Sequence, residues 1–150
     1  MSFAIPPNPP PPPAQVGYAP MDSIHAEFEE LLQRASSPGS RDWPCLLAEL
    51  DEHLRSHFAV EDQWMEDTEF PPRTCHINEH AAVLKSSREV LELARAGSFD
   101  AAPGFVAALA EWFPGHLDYL DSALAAWMCK RQFGGKPVVL HRAAPRAMQP

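Results

Sequence analysis

Apolar residues recur every three to four positions in four blocks of this chain, which is the spacing of helices that each bury one stripe. Ile24, Phe28, Leu31 and Leu32 mark a first helix, ended by the breaker run SSPGS at 36–40. Leu47, Leu50, Leu54, Phe58 and Met65 mark a second, opening near Asp42 as N-cap with Pro44 in its first turn and closing before the FPP at 70–72. The third carries Val83, Leu84, Val90, Leu91 and Ala94 and stops near Gly97. A fourth, capped by Asp100, carries Phe105, Leu109, Trp112, Leu120, Leu124 and Trp127. No block alternates as a half-buried strand would. Four helices with short connections predict an all-α fold, an up-down-up-down antiparallel four-helix bundle over residues 21–133. Outside it lie a proline-rich N-terminal tail, residues 1–20, and a loose C-terminal tail, residues 134–150. The first holds eight of the 17 prolines and favours polyproline II; the second opens on two glycines and has no period.

The stripes are not purely apolar. His25 lies three residues before Phe28, and His57 and Glu61 fall four apart on the stripe of Leu50, Leu54 and Met65. His76 and His80 lead into Val83 and Leu84, while His116 and Asp121 stand among Trp112, Leu120 and Leu124. A buried unpaired carboxylate costs several kcal/mol, and a neutral imidazole still needs partners for its nitrogens. Five histidines and two carboxylates converging from four helices are hard to satisfy with one another, whereas divalent cations satisfy them directly. The core of a helical bundle is where such sites are built.

Seven donors exceed what a single ion accepts. Two roughly six-coordinate ions bridged by Glu61 and Asp121, and by one oxo or hydroxo group, would use every donor and leave one position open. Nitrogen and oxygen donors without thiolate suit iron, manganese or zinc alike. Cys45, Cys75 and Cys129 are scattered and odd in number, so they read as reduced thiols rather than a disulfide frame. The formal net charge is −8, and all 20 acidic residues but only nine of the 12 basic ones fall within 21–133. That balance argues against a nucleic-acid surface. No run of 18 apolar residues could span a bilayer, and the start lacks a secretory signal, which points to a cytoplasmic protein without membrane insertion.

The order His25, then HFAVE from His57 to Glu61, HINEH from His76 to His80, and HLDYLD from His116 to Asp121, resembles the hemerythrin family, specifically its bacterial single-domain members. The resemblance spans about residues 17–130. It implies two iron ions: His76, His80 and His116 would hold one, His25 and His57 the other, which keeps the open position, with Glu61 and Asp121 bridging. It also implies that Phe28, Phe58, Trp112 and Leu117 line a dioxygen pocket. His53, one turn before His57, competes as a ligand, but the family pattern selects the histidine followed by Phe. His116 and Asp121 stand five apart, roughly 140° on a regular helix. A bulge or local unwinding must therefore bring both inward, and Pro114 is a candidate cause. Glu79 occupies a position where invertebrate oxygen carriers have an apolar residue.

The expected function is reversible dioxygen binding by a carrier, store or sensor, not an enzyme. Di-iron oxygenases use carboxylate-rich ligation with paired Glu-x-x-His motifs, which this chain lacks. The alternatives are a di-iron redox enzyme acting on peroxide, nitric oxide or ferrous iron, and a metal-dependent regulatory module whose proline-rich tail engages a protein partner.

Overall fold

The structure is a computed structural model, and it describes residues 14–37 and 42–132. The two tails therefore lie outside the described residues except for 14–20. Four helices form the fold: α1 (Ala19–Ser36), α2 (Trp43–Asp67), α3 (Arg73–Arg95) and a fourth made of α4 (Ala102–His116), a π-helical turn (Leu117–Asp121) and α5 (Ser122–Gln132). No strand occurs among the described residues. Each helix packs on the next and α4 returns against α1, which closes the antiparallel bundle.

The ends of the helices follow from local chemistry. Asp42 caps α2, its carboxylate accepting from the Cys45 amide at 3.2 Å, and Pro44 sits in the first turn, where no amide partner is missing. Gly97, at φ +90°, ends α3: its amide donates to the Ala94 carbonyl and the Ser98 amide to that of Leu93. α1 begins at Ala19, so Ala19 and Pro20, expected in the tail, are helical; proline is accepted there because the first turn needs no donor from it. Asp100 does not cap the fourth helix. Ala101 occupies that position without a side-chain bond. A cap at Asp100 would need the amides of residues 102 and 103, but that of Ala102 already donates to the Phe99 carbonyl and Pro103 has none.

The turn between α2 and α3 repeats the Gly97 arrangement with a glutamate. Glu69 has φ +53°, and the Phe70 amide donates to the Met65 carbonyl at 2.9 Å. The left-handed region is costly for any residue with a Cβ, and Glu69 is exposed. Glu69→Gly is therefore expected to stabilise the fold by about 0.5–1 kcal/mol, read as a rise in melting temperature.

Two apolar clusters fill the bundle. One joins Phe28, Leu32, Leu47, Leu50, Leu54, Leu91, Val106 and Leu109. The other joins Tyr18, Met21, Met65, Phe70, Leu124 and Ala125. Along α1, α2 and the fourth helix the polar inward residues fall between these two groups: His25 between Met21 and Phe28, Glu61 between Phe58 and Met65, and His116 and Asp121 between Phe113 and Leu124.

Candidate metal centre

All seven polar residues singled out on the stripes, His25, His57, Glu61, His76, His80, His116 and Asp121, are buried, with at most 4 % exposure each. Helical spacing brings most of them in. His57 and Glu61, like His76 and His80, are four apart and share a face. His116 and Asp121 are five apart, and the π turn resolves that mismatch: the Ser122 amide donates to the Leu117 carbonyl, five residues back. One residue is thereby absorbed, and Asp121 takes the place a residue four on would have. Pro114 lies inside α4 just before this turn and lacks the amide that a regular turn would use.

The residue absorbed can be identified by its surroundings. Tyr119 in the π turn is 81 % exposed. Deleting Tyr119 should convert the turn to α-helix while leaving His116 and Asp121 four apart on the same face. Metal uptake is then retained. Deleting the exposed Ala110 instead shifts Val106 and Leu109 against His116 and Asp121 and should abolish it; metal content per chain distinguishes the two.

Within the centre the donors divide into two groups. His76 Nε2 lies 3.2 Å and His80 Nε2 3.3 Å from His116 Nε2. On this side Glu61 Oε1 is 3.5 Å from His76 and 3.3 Å from His80, while Asp121 Oδ1 is 3.1 Å from both His76 and His116. On the other side Glu61 Oε2 lies 2.8 Å from His57 Nε2 and 3.3 Å from His25 Nε2, and Asp121 Oδ2 lies 3.1 Å from His25 Nε2. Each carboxylate thus turns one oxygen to a group of three histidines and the other to a group of two. Such a disposition would let each carboxylate bridge two cations.

Apart from the 2.8 Å contact of His57 Nε2 with Glu61 Oε2, these contacts are poor hydrogen bonds, and the donor set suits a cation. Neither oxygen of Asp121 has a hydrogen-bond partner, nor has Glu61 Oε1 or His25 Nε2, although all are buried. Asp62 Oδ1 lies 2.7 Å from His80 Nδ1, and Glu79 Oε1 lies 2.8 Å from His116 Nδ1. A carboxylate only accepts, so those Nδ1 atoms carry the protons and the inward Nε2 atoms present lone pairs. Two lone pairs facing each other at 3.3 Å repel. A cation about 2.1 Å from each nitrogen would set adjacent ligands at right angles about 3 Å apart, close to the separations found.

Without a cation, protons take its part. Burial opposes charging His25 and His76, yet the Asp121 and Glu61 carboxylates beside them overcome it and raise both to about 9. Burial likewise opposes ionising Glu61 and Asp121, and the surrounding imidazoles hold both well below the usual carboxylate range.

Aromatic rings enclose both groups. Phe58 stacks on His80 at 4.0 Å and Trp112 lies over His116 at 4.3 Å, on the three-histidine side. Phe113 meets His25 edge-on at 5.2 Å, and Phe28 meets both Phe113 and His57. Leu117 is buried next to His116. Of the four residues expected to line a pocket, Trp112 is partly exposed, and Phe113, not singled out in the sequence, is fully enclosed against His25.

His53 does not join either group of potential ligands. It stacks on Phe28 at 5.7 Å and meets the His57 ring edge-on. Burial, with His57 and His25 nearby, lowers it to about 4, so it is neutral at ordinary pH. Glu79, which the sequence places near the pocket, stands behind His116 and also accepts from the Trp112 indole at 2.9 Å. Asp62 was not legible as a functional residue. Its only signal is its place directly after Glu61.

Residues 16–128 match the hemerythrin HHE cation-binding domain family. The chain is also similar to a bacteriohemerythrin of Ralstonia nicotianae, 37% identical over 116 residues, covering 77% of this chain and 85% of that protein. No solved structure matches it.

Proposed function

The chain belongs to the hemerythrin HHE cation-binding family, and from that premise we propose that it holds two iron ions in the bundle core and binds dioxygen reversibly, as a carrier, store or sensor. In this reading His76, His80 and His116 hold one iron, His25 and His57 the other, and Glu61 and Asp121 span both. The observation that carries it is the unequal division of histidines around two carboxylates that each face both ways. Equal shares would leave no preferred position for a small ligand; three against two leaves one on the side of His25 and His57.

When bound, the iron pair supplies the electrons for reversible capture of dioxygen. The protein's residues determine what else happens there. Phe28 and Phe113, which meet the His57 and His25 rings, are at most 5 % exposed and carry no acid or base, which keeps water and proton donors from that side. Exclusion of proton donors favours release of an intact ligand over its further reduction. His53, whose ring meets that of His57 edge-on, stays neutral because burial disfavours its charge.

Metal quantification and absorption spectra of anaerobic and aerated protein test this reading. Two irons per chain and a colour that comes and goes with dioxygen over many cycles are expected. Steady turnover of peroxide, nitric oxide or ferrous iron would instead make it a redox enzyme. His80→Ala should lose iron and His53→Ala should keep it; equal loss would show the ligand set to be wrong. Removing residues 1–13 should leave the spectrum unchanged, as expected if the proline-rich segment serves a protein partner rather than the centre.

A further inference from the structure

The two groups of histidines differ in what stands behind them. In the three-histidine group, Asp62 accepts a hydrogen bond from His80 Nδ1 at 2.7 Å and Glu79 accepts one from His116 Nδ1 at 2.8 Å. Among the described residues His76 Nδ1 has no hydrogen-bond partner, and in the two-histidine group neither His25 Nδ1 nor His57 Nδ1 has one, so two of three rings are supported against none of two. The supports are arranged as struts between helices. Asp62 follows Glu61 on α2 and reaches His80 on α3; Glu79 precedes His80 on α3 and reaches His116 on α4. Each therefore ties the residue beside one donor to a histidine on the next helix. Glu79 is itself held, since the Trp112 indole donates to the same oxygen while its ring covers His116.

A carboxylate behind an imidazole fixes the tautomer, stops the ring from turning and makes the metal-facing nitrogen a stronger donor. His25 and His57 receive none of this. We propose that Asp62 and Glu79 are positioning residues that set the two metal positions apart, so that the position of His76, His80 and His116 is the first to fill and the last to empty. The inference rests on the two-iron reading and adds an order of loading and a cause for it. Both carboxylates are about one-third exposed, so each can be neutralised without opening a cavity in the core.

The test is an anaerobic titration of the metal-free, full-length chain with ferrous iron against a competing chelator. The parent should take up two ions in two separate steps. Asp62→Asn and Glu79→Gln keep the side-chain shape and remove the charge; each should weaken the first step about ten- to a hundred-fold and move the second by less than about threefold. Each should also raise the midpoint potential of the iron bound first, because less negative charge reaches its ligand. Glu89→Gln, an exposed charge removed elsewhere on α3, should change neither step. Melting curves of the metal-free variants separate an effect on ligation from an effect on folding, and because the two struts hold different histidines, one folded variant suffices. The proposal is overturned if the first step keeps its affinity, if both steps weaken alike, or if Glu89→Gln acts as strongly. A parent that binds only one ion overturns the two-iron reading itself.

Discussion

Glu61→Ala is expected to leave the chain with at most one iron and to lower the stability of the metal-free protein by about 3–5 kcal/mol. Glu61 is fully buried and stands within 3.5 Å of the Nε2 atoms of His25, His57, His76 and His80. Among the described residues no other side chain touches both histidine groups on so many sides. Its loss removes one of the two carboxylates that face both histidine groups and also the negative charge that allows His25 and His76 to be buried in charged form. The cost is that of breaking a buried ion pair from one end, which exceeds the net worth of the pair itself. Thermal melts with and without iron, together with iron content, measure both parts. A variant that still binds two irons would mean that Asp121 alone bridges them.

Removing the metal should make stability fall with rising pH, and restoring it should cancel the fall. His25 and His76 have folded values near 9 against about 6.5 in an unfolded chain. A raised folded value contributes stability that is complete below about pH 6.5 and is lost as pH climbs to about 9. Glu61 and Asp121, held low by the imidazoles, contribute stability above about pH 4 that disappears as pH falls further. His53 acts in the opposite sense to the other histidines: its folded value is near 4, so protonation of the unfolded chain weakens folding as pH drops below about 6.5. The metal-free protein should therefore be most stable near pH 6.5 and lose several degrees of melting temperature by pH 9. Iron binds deprotonated imidazoles, so the loaded protein gains what the metal-free one loses, and the gap between the two melts widens with pH. A metal-free protein whose melting temperature is flat from pH 6.5 to 9 would show that the imidazoles are not charged in the fold.

Much of this architecture is visible in the order of residues because it depends on neighbours along the chain. The helical period of Leu47, Leu50, Leu54 and Phe58 places one stripe inward, and four such stripes separated by short breakers leave little choice but a bundle. The same period places His57 with Glu61 and His76 with His80, so the chemistry could be read from donors sitting where apolar residues belong. Even the irregular spacing of His116 and Asp121 demanded a distortion, and the π turn supplies it. The beginning of the fourth helix was misread because a cap depends on which amides are free. Pro103 and the Phe99 carbonyl settle that in a way a preference for Asp does not.

Residue type at a spacing of three to five is enough to read the helices, their stripes and the inward donors from the order of residues. Tertiary structure alone decided how those donors divide. Asp62 lies 18 residues from His80, and Glu79 lies 37 from His116. Whether such pairs meet depends on how far each helix is rotated about its axis against its neighbours, and side-chain packing across the whole bundle sets that angle. An acidic residue on the border of a helical stripe reads as solvated surface until the neighbouring helix is in place. Only then does its oxygen find an imidazole.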